Sequence, residues 1–110
     1  MAKVIITKGL EEEVNKRFKG QSVEVFELML TLEDQPKKGK IVGVVGGIII
    51  KELKYGVYRF YFITEGYKVK FLKSDELRDL LIKFVRMSDK DRQEEVISEI
   101  KSVLKASVSL

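Results

Sequence analysis

The chain has no cysteine, no histidine and no tryptophan, and only one proline among its 110 residues. The first two absences remove thiolate and imidazole chemistry. Zinc and haem sites, Ser-His-Asp and Cys-His nucleophile systems and any histidine proton shuttle are excluded whatever the fold. Acid–base work falls to carboxylates, Lys, Arg or Tyr, and neither a metal nor a cofactor is expected. Disulfide staples are absent too. A chain of this length nevertheless buries roughly two-thirds of its unfolded surface, enough for a single domain with its own core. Long apolar runs are scarce: the longest, Ile41 to Ile50, has ten residues including three glycines, whereas a membrane span needs about 20. The start, Met1 to Lys8, offers only three consecutive large apolar residues, short of the apolar region of a secretory signal. A soluble, cytoplasmic protein without membrane contact is expected. Abundant Lys and Glu with one Pro and no Cys is also a composition that suits a thermophile.

What is present in excess is charge, 35% of residues, with a net +4. It is unevenly placed. From Gln35 to Lys73 there are nine basic residues (Lys37, Lys38, Lys40, Lys51, Lys54, Arg59, Lys68, Lys70 and Lys73) against Glu52 and Glu65, a balance of +7. The other 71 residues carry 12 basic and 15 acidic groups, a balance of −3. Such a segment focuses positive potential and suits phosphates or an acidic partner. The plainer alternative is a set of solubilising lysines on solvent faces of a sheet.

Hydrophobic periodicity divides the chain. Lys3 to Thr7 reads as a short strand, and Leu10, Val14 and Phe18 then recur every fourth residue, as on one helix face. Gly20 breaks that pattern, and Ser22 is placed to cap a second helix bearing Val25, Phe26, Leu28, Met29 and Leu32, which ends at Glu33-Asp34-Gln35-Pro36. The two segments predict a helical hairpin. From Lys40 to Leu72 the period becomes two, with glycines at the breaks, and four strands are predicted: Lys40–Val45, Ile48–Lys54, Val57–Thr64 and Tyr67–Leu72. In the third, Tyr58, Phe60 and Phe62 share one face while Arg59 and Tyr61 share the other. Ser74-Asp75-Glu76 predicts a helix start, with Leu77, Leu80, Leu81, Phe84 and Val85 as its stripe. Ser88 to Asp91 opens a last helix with Val96, Ile97, Ile100, Val103 and Leu104 on one face, and Ala106 to Leu110 reads as a frayed tail.

Two suggestive motifs fail on context. Gly43-Val-Val-Gly46 has the letters of a KH-domain loop but an apolar strand pattern, and Gly39-Lys40 is followed by Ile41 instead of the Ser or Thr of a phosphate-binding loop. Alternating aromatics in a strand usually pack a core, so Tyr61 and Tyr67 are the remaining candidates for base stacking.

The order of elements resembles the RelE/ParE toxin superfamily. Gly46-Gly-Ile-Ile-Ile-Lys-Glu-Leu-Lys-Tyr-Gly-Val-Tyr-Arg-Phe-Tyr-Phe62 is similar to that family's Glu-Leu-Arg/Lys strand, tight turn and Tyr-Arg-x-x-Tyr/Phe strand. Phe84-Val-Arg-Met-Ser-Asp-Lys90, with Glu95-Val96 beyond, is similar to the HigB-type, phage-derived branch. The resemblance covers nearly the whole chain. It implies one RelE-like domain over residues 1–110, of the α+β class, with an N-terminal strand and helical hairpin packed on a mainly antiparallel sheet and C-terminal helices. It further implies a ribosome-dependent endoribonuclease, or mRNA interferase, with mRNA and the ribosome as partners and a cognate antitoxin. A homodimer is compatible. By motif position, Glu52, Lys54, Arg59 and Arg86 match the family's catalytic positions.

The chemistry that follows is RNA cleavage through the 2′-hydroxyl, which needs a base, positive charge for the phosphorane and an acid for the leaving 5′-oxygen. Glu52 is the candidate base. Lys54 and Arg59, brought across adjacent strands by the Tyr55-Gly56 turn, stabilise the phosphate charge, and Arg86 or Lys83 completes the clamp. Lys37, Lys38, Lys40, Lys51 and Lys83 are the expected substrate-binding cations, with Tyr61 for stacking. The bland reading of Glu52 is a cross-strand ion pair with Lys54 or Arg59 on a solvated face. Two other functions stay open. One is a non-catalytic binding module on the same scaffold, which the lack of any His or Tyr after Ser74 favours. The other is a ParE-like topoisomerase inhibitor. The ribonuclease reading requires Glu52 and Arg59 side by side on an open, phosphate-attracting hollow.

Overall fold

A computed structural model describes residues 2–77 and 80–108. Strand β1 (Lys3–Ile6) leads into helix α1 (Lys8–Phe18), whose start is capped by the Thr7 hydroxyl accepting from the Leu10 N–H. Lys19 adopts a left-handed φ of 48°, and a 3-10 turn over Lys19–Gln21 passes directly into helix α2 (Ser22–Leu30). The break therefore starts one residue before Gly20, and Ser22 is the first helical residue, with Gln21 at the cap position.

Three strands then form a meander: β2 (Lys40–Val45), β3 (Ile48–Tyr55) and β4 (Tyr58–Glu65). A short helix α3 (Gly66–Phe71) follows, then strand β5 (Leu81–Asp89) and helix α4 (Gln93–Val108). The five strands lie in the order β1-β5-β4-β3-β2. All neighbours are antiparallel except β1 and β5, which are parallel. The chain is thus α+β: one open, mostly antiparallel sheet with the α1–α2 hairpin on one face and α4 on the other. Phe60, Phe62, Phe84, Leu53 and Ile82 build the core against the hairpin residues Leu10, Val14, Val25 and Met29. Ile50 and Tyr61 build a smaller core against Val96, Ile100 and Leu104 of α4.

Two predicted elements change type. The segment read as a fourth strand, Tyr67–Leu72, is largely helix α3. A strand there would need a free ladder, but both edges of β4 are occupied, by β3 and by β5. Val69 and Leu72, three apart, instead pack on the hairpin-side core. The stripe Leu77, Leu80, Leu81, Phe84, Val85, read as a helix, lies mostly in β5. Both faces of β5 are covered, and a bulge at Val85 shifts the register between Phe84 and Arg86. Ile82, Phe84 and Met87 consequently face the hairpin while Val85 faces α4, a spacing that imitates a helical period. The start signal at Ser88–Asp91 is realised by Asp89, whose carboxylate accepts from the Asp91 and Arg92 N–H groups before α4 begins.

Candidate functional site on the α4 face of the sheet

Directly opposed residues of antiparallel strands share a face, so the register decides which side chains meet. Lys40 of β2 pairs with Glu52 of β3, Glu52 with Tyr61 of β4, and Tyr61 with Arg86 of β5. Two residues further along, Lys54 pairs with Arg59 and Arg59 with Ser88. These two rows lie on the α4 face, because Tyr61 packs against Val96 and Ile100 of that helix. Glu52, Lys54, Arg59 and Arg86, distant in sequence, are gathered there together with Lys40 and Tyr61.

Exposure within the rows is graded. Lys40 and Lys54 are exposed, Arg59 is half-buried, and Glu52 is buried at 4%. The Arg59 guanidinium folds over the β3–β4 turn, its Nη1 donating to the carbonyls of Gly56 and Tyr58, each at 3.0 Å. Among the described residues, its buried Nε has no hydrogen-bond partner, and neither does the buried Oε2 of Glu52. An unpaired buried acceptor costs about 1–3 kcal/mol, which stability alone does not favour keeping. Glu52 and Arg59 therefore share a face two register positions apart, each with an unused polar atom, but the carboxylate is buried and does not stand on the open hollow that the ribonuclease reading requires. The solvated cross-strand ion pair, the plainer expectation for Glu52, is absent among the described residues.

Three expectations change with the coordinates. Tyr61 offers no stacking surface: its ring is wholly buried, and its hydroxyl lies 2.8 Å from the Ser88 hydroxyl. Burial holds that phenol above its ordinary pKa, the Ser88 hydrogen bond acting the other way. Lys51 is on the opposite face and 2% exposed. Its Nζ donates to the Lys37 carbonyl at 2.9 Å and lies 5.9 Å from the Phe62 ring centre, and burial depresses its pKa, with Lys37 adding to the effect. It cannot touch a substrate held by Glu52. Arg86 reaches the α4 face, yet its Nη2 donates to Glu99 Oε1 at 3.2 Å, so its charge is shared with a carboxylate of α4.

The remaining cations are dispersed. Lys37 and Lys38 precede β2, with Lys38 Nζ 3.5 Å from the Thr31 hydroxyl. Lys83 is exposed and lines, with Arg86, Glu99, Ile63 and Leu104, a cleft of about 250 Å³ between the sheet and α4. The side chain of Tyr67, the other stacking candidate, is outside the described residues. Ser88 and Glu99 are the members that sequence reading missed. Their partners lie 27 and 13 residues away, and no local pattern announces such contacts. Among the described residues no group of three or more carboxylates is placed to hold a metal ion, and no helix is long and apolar enough to cross a membrane. Compared with protein-family models, with curated proteins and with solved structures, the chain matches none.

Proposed function

We propose that this chain is a toxin-like endoribonuclease that cleaves mRNA in the ribosome through attack of the 2′-hydroxyl. The observation that carries the reading is the unpartnered Glu52 Oε2 on the same face as the unpartnered Arg59 Nε. In the reaction Glu52 takes the proton from the 2′-hydroxyl, which attacks the adjacent phosphorus. Arg59 and the exposed Lys54 stabilise the phosphorane, and the departing 5′-oxygen is protonated by Lys54 or water, leaving a 2′,3′-cyclic phosphate. Arg86, held by Glu99, acts as a positioning residue at the far end of the row. Of the +7 segment from Gln35 to Lys73, Lys40, Lys54 and Arg59 stand on this face and supply the positive potential that draws a polyanion to it.

Expression in a bacterial host should arrest growth and yield mRNA fragments with 2′,3′-cyclic phosphate ends. Glu52→Gln and Arg59→Ala should each lower cleavage by about 10²–10⁴-fold with circular dichroism unchanged. Unaffected growth and intact mRNA, or full cleavage by Glu52→Gln, would overturn the proposal. A second reading, a non-catalytic nucleic-acid-binding module, is favoured by the burial of Glu52 and by the absence of any His or Tyr after Ser74. Its signature is salt-sensitive RNA binding without cleavage. A topoisomerase-inhibitor reading predicts a block of supercoiling instead.

A further inference from the structure

Strand β2 is an edge of the sheet, and it carries apolar side chains that the described residues leave about half uncovered: Ile41 is 49% exposed and Val44 59%. Both lie on the hairpin face, opposite Lys51 and Ile49 respectively, beside a recess lined by Gly46, Gly47 and Gly66. The other face of β2 is already occupied. Val42 and Val45 pack with the α4-side core, and Lys101 of α4 lies so close over Gly43 that a Cβ there would meet its Cε at 2.7 Å.

We infer that this edge joins a second copy of the chain, β2 against β2, in an antiparallel dimer. The argument is the order of faces. The β2 register skips Val42, so Val42 and Gly43 both turn to the α4 side. Residues 40–45 then read α4 face, hairpin face, α4, α4, hairpin, α4, the same in both directions. An antiparallel copy can pair Lys40 with Val45, Ile41 with Val44 and Val42 with Gly43, and every opposed pair shares a face, as a two-fold interface requires. A generic strand partner does not explain this symmetry.

The same register manages charge. Lys40 faces Val45 of the second copy, and the two Lys40 residues stand five positions apart, ~16 Å along the strand, beyond the screening length at physiological salt. Lys38 is turned toward Thr31 of its own chain. The two Lys101 side chains approach across the axis, so added salt should strengthen association. Nucleic-acid binding responds in the opposite sense. The result is one sheet of ten strands, with both α4 helices on one side and both helical hairpins on the other.

Sedimentation equilibrium of the full chain tests this directly. The expected result is a concentration-dependent dimer, tighter at higher salt. Val44→Lys should weaken it by about tenfold or more, while Val103→Lys, an equally exposed apolar site on α4, leaves it unchanged. Circular dichroism reports whether either variant has lost its fold. Because the chain has no cysteine, the register can be read covalently. Oxidation should trap a dimer in the double variant Ile41→Cys/Val44→Cys and in neither single variant, since each residue opposes the other and not itself. A monomer at ~1 mM, a dimer indifferent to Val44→Lys, or single variants that cross-link as well as the double would each overturn the inference.

Discussion

Lys51 and Glu52 are consecutive, oppositely charged and both buried, yet they never meet, because strand alternation sends them to opposite faces. Lys51 is enclosed between the Phe62 ring and the Lys37 carbonyl, and its pKa is lowered by that enclosure. The sign of the effect on folding follows. With a folded pKa below the unfolded one, the unfolded chain binds more protons in the interval between them, so stability rises as pH climbs through it. The penalty is greatest below the folded pKa and vanishes above the ordinary lysine value of about 10.4. Urea denaturation of the wild type should show this alkaline gain, and Lys51→Met should flatten it. Because the Tyr61 phenol, held above its ordinary value, pulls the other way near pH 10, the difference between the two profiles carries the test: a Lys51→Met profile that runs parallel to the wild type would contradict the assignment. Glu52 differs, being buried with an unused oxygen on the side where Lys54 and Arg59 stand. Composition and motif position singled out both residues; only alternation within a register assigned one to the fold and the other to the site.

At the scale of elements, β2, β3, β4, the hairpin and α4 were legible because each carries a periodic stripe or alternation bounded by a turn residue. Helix α3 and strand β5 were not. Tyr67, Val69 and Phe71 alternate as a strand does, but both sides of the preceding strand β4 are already paired, and a single helical turn seats Val69 and Leu72 instead. Strand β5 carries apolar residues on both faces and a bulge, and these erase the period of two. The loop before β2 depends on one glycine. Gly39 sits at φ +102°, and a Cβ there would meet Phe62 Cζ at 2.8 Å and the Glu52 carbonyl at 3.1 Å. Gly39→Ala combines left-handed strain with a clash in the core, and it should cost about 2–4 kcal/mol by chemical denaturation. A loss under about 1 kcal/mol would mean that the loop yields freely.

For the whole molecule, what matters is how charge is layered over the sheet. The segment that carries +7 does not form one continuous surface: Lys51 is spent on the hairpin side, Lys40 and Lys54 rise on the α4 side, and Lys37 and Lys38 lead into the edge strand. If the α4 side with its flanking lysines binds single-stranded RNA, affinity should fall with salt at about −0.7 per phosphate neutralised. Replacing Lys37, Lys38 and Lys40 together by Ala should then flatten the slope by about 2 in a fluorescence-anisotropy titration at several salt concentrations. An unchanged slope would move the binding face elsewhere.

The sequence by itself determined the class of the fold and the chemistry open to it. Turn residues and apolar periods are local properties, and the lack of Cys and His leaves only carboxylate, amine, guanidinium and phenol groups to act. Glu52, Lys54, Arg59 and Arg86 came forward only through the motif resemblance. Tertiary structure decided which of the selected residues meet, since a register relates residues that have no pattern in common. It put Glu52 and Arg59 on one face, sealed Tyr61 against Ser88, drew Arg86 to Glu99 and turned Lys51 away. It also converted one predicted strand to helix and one predicted helix to strand, because which strands pair on both sides is a property of the assembled sheet and of no single segment.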